Sequence, residues 1–243
     1  MSLSDNKSPL HIGIVACSAE GAALCYRTIC AEGARWLGPH AHPEISMHTH
    51  SFASYVDSIA RDDWKAVGEL MLASVNKLAK MGADFVICPD NTIHQALPHI
   101  QHALPIPWLH IAEVVAAQAK ELGYTRLGLT GTRWLVESEV YPTALKESGL
   151  SFIRPGKQER DEINRIIMDE LVSGIFKQEA VEYFQGVMGR LKDQGCDAVV
   201  LGCTEIPLIM NDGNSPLPTL DSTRLLAQAA LQRAIAGQGS KAL

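Results

Sequence analysis

Gly195-Cys196-Asp197-Ala198-Val199-Val200-Leu201-Gly202-Cys203-Thr204-Glu205 repeats the pattern of an earlier stretch, Gly82-Ala83-Asp84-Phe85-Val86-Ile87-Cys88-Pro89-Asp90-Asn91-Thr92. Laid over one another without a gap, each gives a Gly, an Asp two residues on, an apolar run and a small polar cluster. A short β-rich apolar run bounded by turn signals reads as a buried strand. Open α/β sheets carry their ligands just beyond the carboxyl ends of such strands. Six residues after each Asp a reactive side chain follows, Asp90 in the first copy and Cys203 in the second. The reading is that these two face each other across one site.

The flanks repeat as well. Trp64 to Met81 places Val67, Leu70, Met71, Val75 and Leu78 at helical spacing and stops before Gly82, a C-cap signal. Val181 to Gln194 does the same before Gly195, with Leu191 in the place of Leu78. Ile12-Gly13-Ile14-Val15-Ala16-Cys17 is matched by Leu127-Gly128-Leu129-Thr130-Gly131-Thr132. Leu104-Pro-Ile-Pro-Trp-Leu-His-Ile is matched by Ser215-Pro-Leu-Pro-Thr-Leu-Asp-Ser. Further elements are a helix from Ser18-Ala19-Glu20-Gly21 through Ile29, a strand within Pro43–Phe52, and helices over Thr92–Ala103, Ile111–Leu122 and Leu225–Ala236. Strands alternating with long helical patterns imply parallel sheets. The expected fold is therefore α/β: two pseudo-symmetric parallel-sheet domains, Rossmann-like or flavodoxin-like, with the active site in the cleft between them. The first domain is expected to take residues 10–110 plus 215–243, its last strand returning through Pro-Leu-Pro, and the second residues 111–214.

Composition narrows the function classes. The 243 residues are 47% hydrophobic and 20% charged, as in ordinary globular domains. A net charge of -6 argues against a nucleic-acid partner. No stretch approaches the roughly 18 continuous apolar residues of a membrane span. Met1 to Pro9 is short and polar, without an apolar signal core, so a disordered start and a cytoplasmic protein are expected. The six cysteines show no CxxC spacing and read mainly as small buried hydrophobes. His40/His42 and His48/His50 are HxH pairs, but no carboxylate or cysteine stands at a telling distance, so no metal site is assigned.

Two similar units that each present a strand-end side chain suit one reaction: removing a proton from one face of a carbon and returning it on the other. Asn91, Thr92 and Thr204 flank the pair and are suited to hydrogen-bonding a substrate's carboxylate and amine. The small residues of the Ser18 turn would let an anion approach a helix N-terminus. That turn does not match GxGxxG, so a nucleotide fingerprint is absent there. The Cys203 thiolate is expected to be favoured by a helix N-terminus.

Asp90-Asn91-Thr92-Ile93-His94, Leu201-Gly202-Cys203-Thr204-Glu205-Ile206 and Leu220-Asp221-Ser222-Thr223 resemble the cofactor-independent aspartate/glutamate racemase superfamily. Gly131-Thr132 followed by Glu137 and Tyr141, and Ile163 to Leu171, are similar too. The resemblance runs from about Ile12 to Leu231, with Gly-Cys-Thr-Glu its most specific part. It implies two pseudo-symmetric α/β domains holding an amino acid between two cysteines, without PLP, nucleotide or metal. It also implies Cys203 and Asp90 as catalytic residues, Asn91, Thr92, Thr204, Glu205, Thr132 and Ser18 as substrate-binding residues, and a homodimer as the expected assembly. The substrate it implies is an acidic amino acid, aspartate or glutamate.

Two departures stand out. Asp90 occupies the place of the family's first cysteine. The family's glycine-rich first loop is replaced by Ala16-Cys17-Ser18-Ala19-Glu20-Gly21, and a hydroxyl expected soon after Thr132 is Leu135. Cys88 shares a strand face with Asp90 but lies about 6–7 Å deeper, so it reads as a core residue. Asp-Asn-Thr is also ordinary helix N-cap chemistry, Glu205 either caps or orients an amine, and His94 reads as packing. Arg27, Arg133 and Arg160 are open candidates for a second substrate carboxylate. Three functions remain open: a two-base racemase, a one-cysteine decarboxylase or isomerase of the same fold, and a non-catalytic small-molecule binder.

Overall fold

The computed structural model describes residues 8–237. The chain forms two compact units. The first holds the chain up to Pro89, Ala96–His110 and the residues from Leu226 on; the second holds Asp90–Gln95 and Ile111–Leu225. The disordered start expected within Met1–Pro9 lies, over residues 1–7, outside the described residues, as does the last part of the expected first domain, residues 238–243.

In the first unit the order is β1 (Ile12–Ala16), α1 (Ala19–Leu37), β2 (Ile45–Thr49), α2 (Phe52–Ala60), α3 (Trp64–Lys80), β3 (Phe85–Ile87), α4 (Leu97–Ile100) and β4 (Trp108–Leu109). The stretch expected as one helix over Thr92–Ala103 is broken. It runs as a 3-10 turn over Thr92–Ala96, then α4, then a second 3-10 turn over Gln101–Ala103. Pro98, with no N–H and a fixed φ, sits near the start of α4, where such a residue is tolerated. The sheet is wholly parallel in the order β2-β1-β3-β4.

The second unit follows with α5 (Ile111–Glu121), β5 (Arg126–Thr130), α6 (Arg133–Val136), α7 (Val140–Glu147), β6 (Ser151–Ile153), α8 (Lys157–Arg165), α9 (Gln178–Asp193), β7 (Ala198–Leu201) and β8 (Thr219–Asp221). Its sheet has the same parallel order, β6-β5-β7-β8. Strand alternation divides its core. Ala198 and Val200 of β7 join Leu127, Leu129, Val115 and Tyr141 on one face. Val199 and Leu201 join Phe184, Val187 and Leu191 of α9 on the other.

Each repeated residue has a physical job. Gly82 and Gly195 take φ of 93° and 86°, which lets the chain leave α3 and α9 through the left-handed region. Asp84 Oδ2 accepts the backbone N–H of His11 at 2.7 Å. Asp197 Oδ2 accepts that of Thr125, also at 2.7 Å. Each Asp thus ties the entry of its own strand to that of the neighbouring one. Gly13 and Gly128 let a helix lie close: a Cβ at Gly13 would come within 3.3 Å of Leu78 Cβ on α3, and one at Gly128 within 2.8 Å of Leu191 on α9.

The structure departs from the expected return at Ser215. Val199 pairs with Thr219 and Leu201 with Asp221, and Val199 N–H donates to the Pro218 carbonyl, so β8 belongs to the second sheet. The return comes later, inside α10 (Ser222–Ala236), whose residues from Leu226 on count with the first unit. There the Leu10 N–H donates to the Ala234 carbonyl, Gln228 donates to Glu32, and the Arg233 guanidinium stacks 4.8 Å from the Phe85 ring. A Pro-Leu-Pro strand followed by a helix fits either sheet by pattern; pairing with β7 decides it.

Candidate active site

Cys203 lies two residues beyond β7 and is 9% exposed. The backbone that delivers it is tightly fitted: Gly202 N–H donates to the Thr130 carbonyl at 3.0 Å, and a Cβ on Gly202 would stand 2.5 Å from that same oxygen. The Cys203 thiol donates to Glu205 Oε2 at 2.9 Å, and the Thr204 hydroxyl donates to the same oxygen at 2.7 Å. All three side chains are buried.

Burial pushes the Cys203 thiol well above its ordinary range; the Glu205 carboxylate, both as a charge and as a hydrogen-bond acceptor, adds to this, and the Asp90 charge adds further. The Glu205 backbone N–H pulls the other way. The help expected from a helix N-terminus is therefore outweighed. The segment after Cys203 is only a 3-10 turn over Ile206–Leu208, too short to offset desolvation and two carboxylates. Raised in this way, the Cys203 side chain is a thiol at neutral pH.

Asp90 is half-buried and falls in the second unit with Cys203, on the six-residue stretch Asp90–Gln95. That stretch is stitched in place. Asn91 Nδ2 donates to Ser222 Oγ at 3.0 Å, and Asn91 Oδ1 accepts from the Tyr141 hydroxyl at 2.7 Å. The hydroxyls of Thr92 and Thr132 lie 2.9 Å apart, and Thr132 also caps α6 by accepting the Leu135 N–H. Gln95 Nε2 donates to the Trp134 carbonyl at 2.9 Å, and the His94 ring bonds the Asp90 carbonyl at 2.9 Å. His94, 2% exposed, packs as expected from the sequence.

The second unit thus brings together Asp90, Asn91, Thr92, Thr132, Cys203, Thr204 and Glu205. Ser18 belongs to the first unit, where it caps α1 by accepting the Gly21 N–H at 3.4 Å. Asn91, expected to meet substrate, instead spends its amide on Tyr141 and Ser222. Leu135, in place of the family's hydroxyl, is fully buried against Gly131 and Gly202. Cys88 is fully buried. Arg160 donates to the Pro155 carbonyl and to Glu137, and Arg133 and Arg27 are exposed. The sequence reading gave Tyr141 and Ser222 no role. The repeat carried a signal for the second: Ser222 stands where the first copy has Ile111, and both positions are fully buried.

For the histidine pairs, His48 bonds Ser74 Oγ and Lys77 Nζ, and His42 bonds the Pro43 carbonyl. Among the described residues no group of three or more His, Cys, Asp or Glu side chains is placed to hold a metal ion. None of their helices is long and apolar enough to cross a membrane.

Comparison with known proteins joins this geometry to a family. The chain is 25% identical over 201 residues to the broad specificity amino-acid racemase RacX of Bacillus subtilis (strain 168), covering 81% of this chain and 84% of that one. It is 29% identical over 157 residues to the glutamate racemase of Listeria innocua, covering 60% of this chain and 54% of that one. A solved structure from Yersinia pestis, assigned as an Asp/Glu racemase, superposes with a TM-score of 0.86 at 30% identity, over 93% of this chain and 99% of that one. These relatives are named as racemases, which are isomerases. With residues 14–230 matching the Asp/Glu/hydantoin racemase description, the chain belongs to that family.

Proposed function

We propose that the protein is a PLP-independent amino-acid racemase acting on aspartate or glutamate, with Asp90 and Cys203 handling the Cα proton on opposite faces. The observation that carries the reading is that Asp90, just beyond β3, groups with the second unit that holds the buried Cys203 thiol just beyond β7, in a member of this family. The Asp90 carboxylate removes the proton, leaving a Cα carbanion, and the Cys203 thiol delivers its own proton to the other face. The products are the inverted amino acid, a carboxylic acid at Asp90 and a thiolate at Cys203. The opposite direction starts from that pair. Thr92, Thr132, Thr204 and Glu205, with Ser18, supply hydrogen-bonding groups for the substrate's ammonium and carboxylate.

A buried thiolate beside Glu205 is costly, so the resting enzyme is poised to donate at Cys203 and to abstract at Asp90. The two enantiomers should therefore exchange unequally while the overall equilibrium stays at unity. A thiol held protonated also suits a second reading, a one-cysteine decarboxylase that protonates a carbanion after carbon dioxide leaves.

The test is a screen of amino-acid enantiomers in deuterated water, following Cα deuterium by mass spectrometry, on protein dialysed against a chelator. Exchange with aspartate or glutamate, unequal between the enantiomers, is expected. A clear preference for neutral amino acids would overturn the acidic substrate, a live outcome given the breadth of RacX. Carbon dioxide release from a malonate without exchange would favour the decarboxylase, and neither signal a binding protein. Loss of exchange after dialysis would overturn cofactor independence.

A further inference from the structure

One hydrogen-bond chain connects the backbone beside Asp90 to the backbone beside Cys203. The Tyr141 hydroxyl donates to Asn91 Oδ1 at 2.7 Å, Asn91 Nδ2 donates to Ser222 Oγ at 3.0 Å, and Ser222 Oγ donates to the Leu201 carbonyl at 2.9 Å. Asn91 follows Asp90 directly, and Leu201 ends β7 two residues before Cys203. Tyr141 comes from α7 and Ser222 opens α10, so separate elements converge on one amide. Tyr141 and Ser222 are 0% exposed and Asn91 is 3% exposed.

The direction of the chain is forced. Ser222 has a single hydroxyl proton, and the Leu201 carbonyl can only accept, so that proton goes to Leu201. Ser222 must then accept from Asn91, which fixes the amide orientation and leaves Asn91 Oδ1 to accept from Tyr141. Burial raises the Tyr141 phenol above its ordinary range, so it is a donor at neutral pH. A fully satisfied buried network of this kind holds one geometry rather than several.

We propose that Tyr141 and Ser222, acting through Asn91, are positioning residues that set the placement of Asp90 relative to Cys203. The proposal rests on the two-residue reading of the site given above, but its primary test does not need turnover. Because the Asp90 charge helps to raise the Cys203 thiol, the pH midpoint of Cys203 alkylation reports where Asp90 sits. Iodoacetamide labelling of the full chain, with Cys203 resolved by peptide mass spectrometry, would be compared across pH for wild type, Asp90→Asn, Tyr141→Phe, Ser222→Ala and each of the last two combined with Asp90→Asn.

Tyr141→Phe and Ser222→Ala should each lower the midpoint in the wild-type background and leave it unchanged once Asp90 is Asn. An equal fall in both backgrounds would mean that the tether only controls burial, and would overturn the proposal; so would no fall in either background from a folded Tyr141→Phe protein. In the exchange assay the same two variants should lose roughly 10–10²-fold in kcat with little change in KM, the scale of a misplaced reacting group. Their effects should not add, because both act through one amide. If wild type exchanges nothing, the racemase reading fails while the alkylation cycle still decides the tether. If wild type exchanges and the variants match it, the tether fails alone.

Discussion

The exits of β3 and β7 use the same framework and end in different chemistry. Each begins with a left-handed Gly and an Asp that accepts the neighbouring strand's backbone N–H, and each is flanked by a strand Gly that admits a helix. What differs is the side chain delivered, a half-buried carboxylate at Asp90 and a buried thiol at Cys203. The residues the two copies share build the sheet, and those that differ stand at the proposed site. The repeated Asp84 and Asp197 are part of that shared framework, each occupied at a strand entry.

The largest expected effect comes from removing the chemistry at one exit. Cys203→Ala should lower turnover by about 10²–10⁴-fold with the fold retained, as deletion of a positioned acid–base group commonly does. Steady-state kinetics beside a circular dichroism melt would check this, and near-wild-type rates in a folded protein would sink the assignment. Exchanging the exits sharpens the comparison. Asp90→Asn should abolish abstraction on its face, whereas Asp90→Cys, making the two exits alike, should even out deuterium wash-in from the two enantiomers. If Asp90→Asn is fully active, Asp90 is a cap and the one-cysteine reading takes over.

A smaller effect probes the shared framework. A methyl at Gly13 meets Val86 Cγ1 at 2.9 Å and Ala83 Cβ at 3.1 Å, atoms with little freedom to move. At Gly128 the nearest atom is Leu191 Cδ1, the end of a flexible side chain. Gly13→Ala should therefore destabilise by about 1–3 kcal/mol, the usual cost of overpacking, and Gly128→Ala by less. Urea melts of the two variants would decide it, and equal losses would show that Leu191 is as constrained as its counterparts.

An effect confined to acid conditions is a pH dependence at another pair of equivalent positions, His110 and Asp221. Burial lowers the His110 imidazole to about 4, so the folded protein keeps it neutral where an unfolded chain would protonate it. The unfolded state then binds more protons below the ordinary value of 6.5, and stability is lost as pH falls from there toward 4. His110→Gln should flatten that part of the stability profile, measured by melts at successive pH values. An unchanged slope would place the acid sensitivity elsewhere. Asp221 has a different job: it accepts the N–H groups of Thr223 and Arg224 at the start of α10.

The two-fold α/β repeat and the position of nearly every strand were legible in the sequence alone, as was the proposal that Cys203 and Asp90 are the reactive ends. Those features are local: a strand is written in consecutive apolar residues, a helix end in one Gly, and the two copies could be laid side by side. Three features follow from contacts between distant segments. Pairing with β7 placed β8 in the second sheet, a question of register between distant segments. Burial beside Glu205, two residues along but folded back onto the sulfur, raised the Cys203 thiol where helix-terminus reasoning expected it to be lowered. The amide of Asn91 turned away from an expected ligand toward Tyr141 and Ser222, which lie 50 and 131 residues away along the chain. Desolvation and hydrogen-bond partnership depend on what surrounds a group in space, and no spacing along the chain records that.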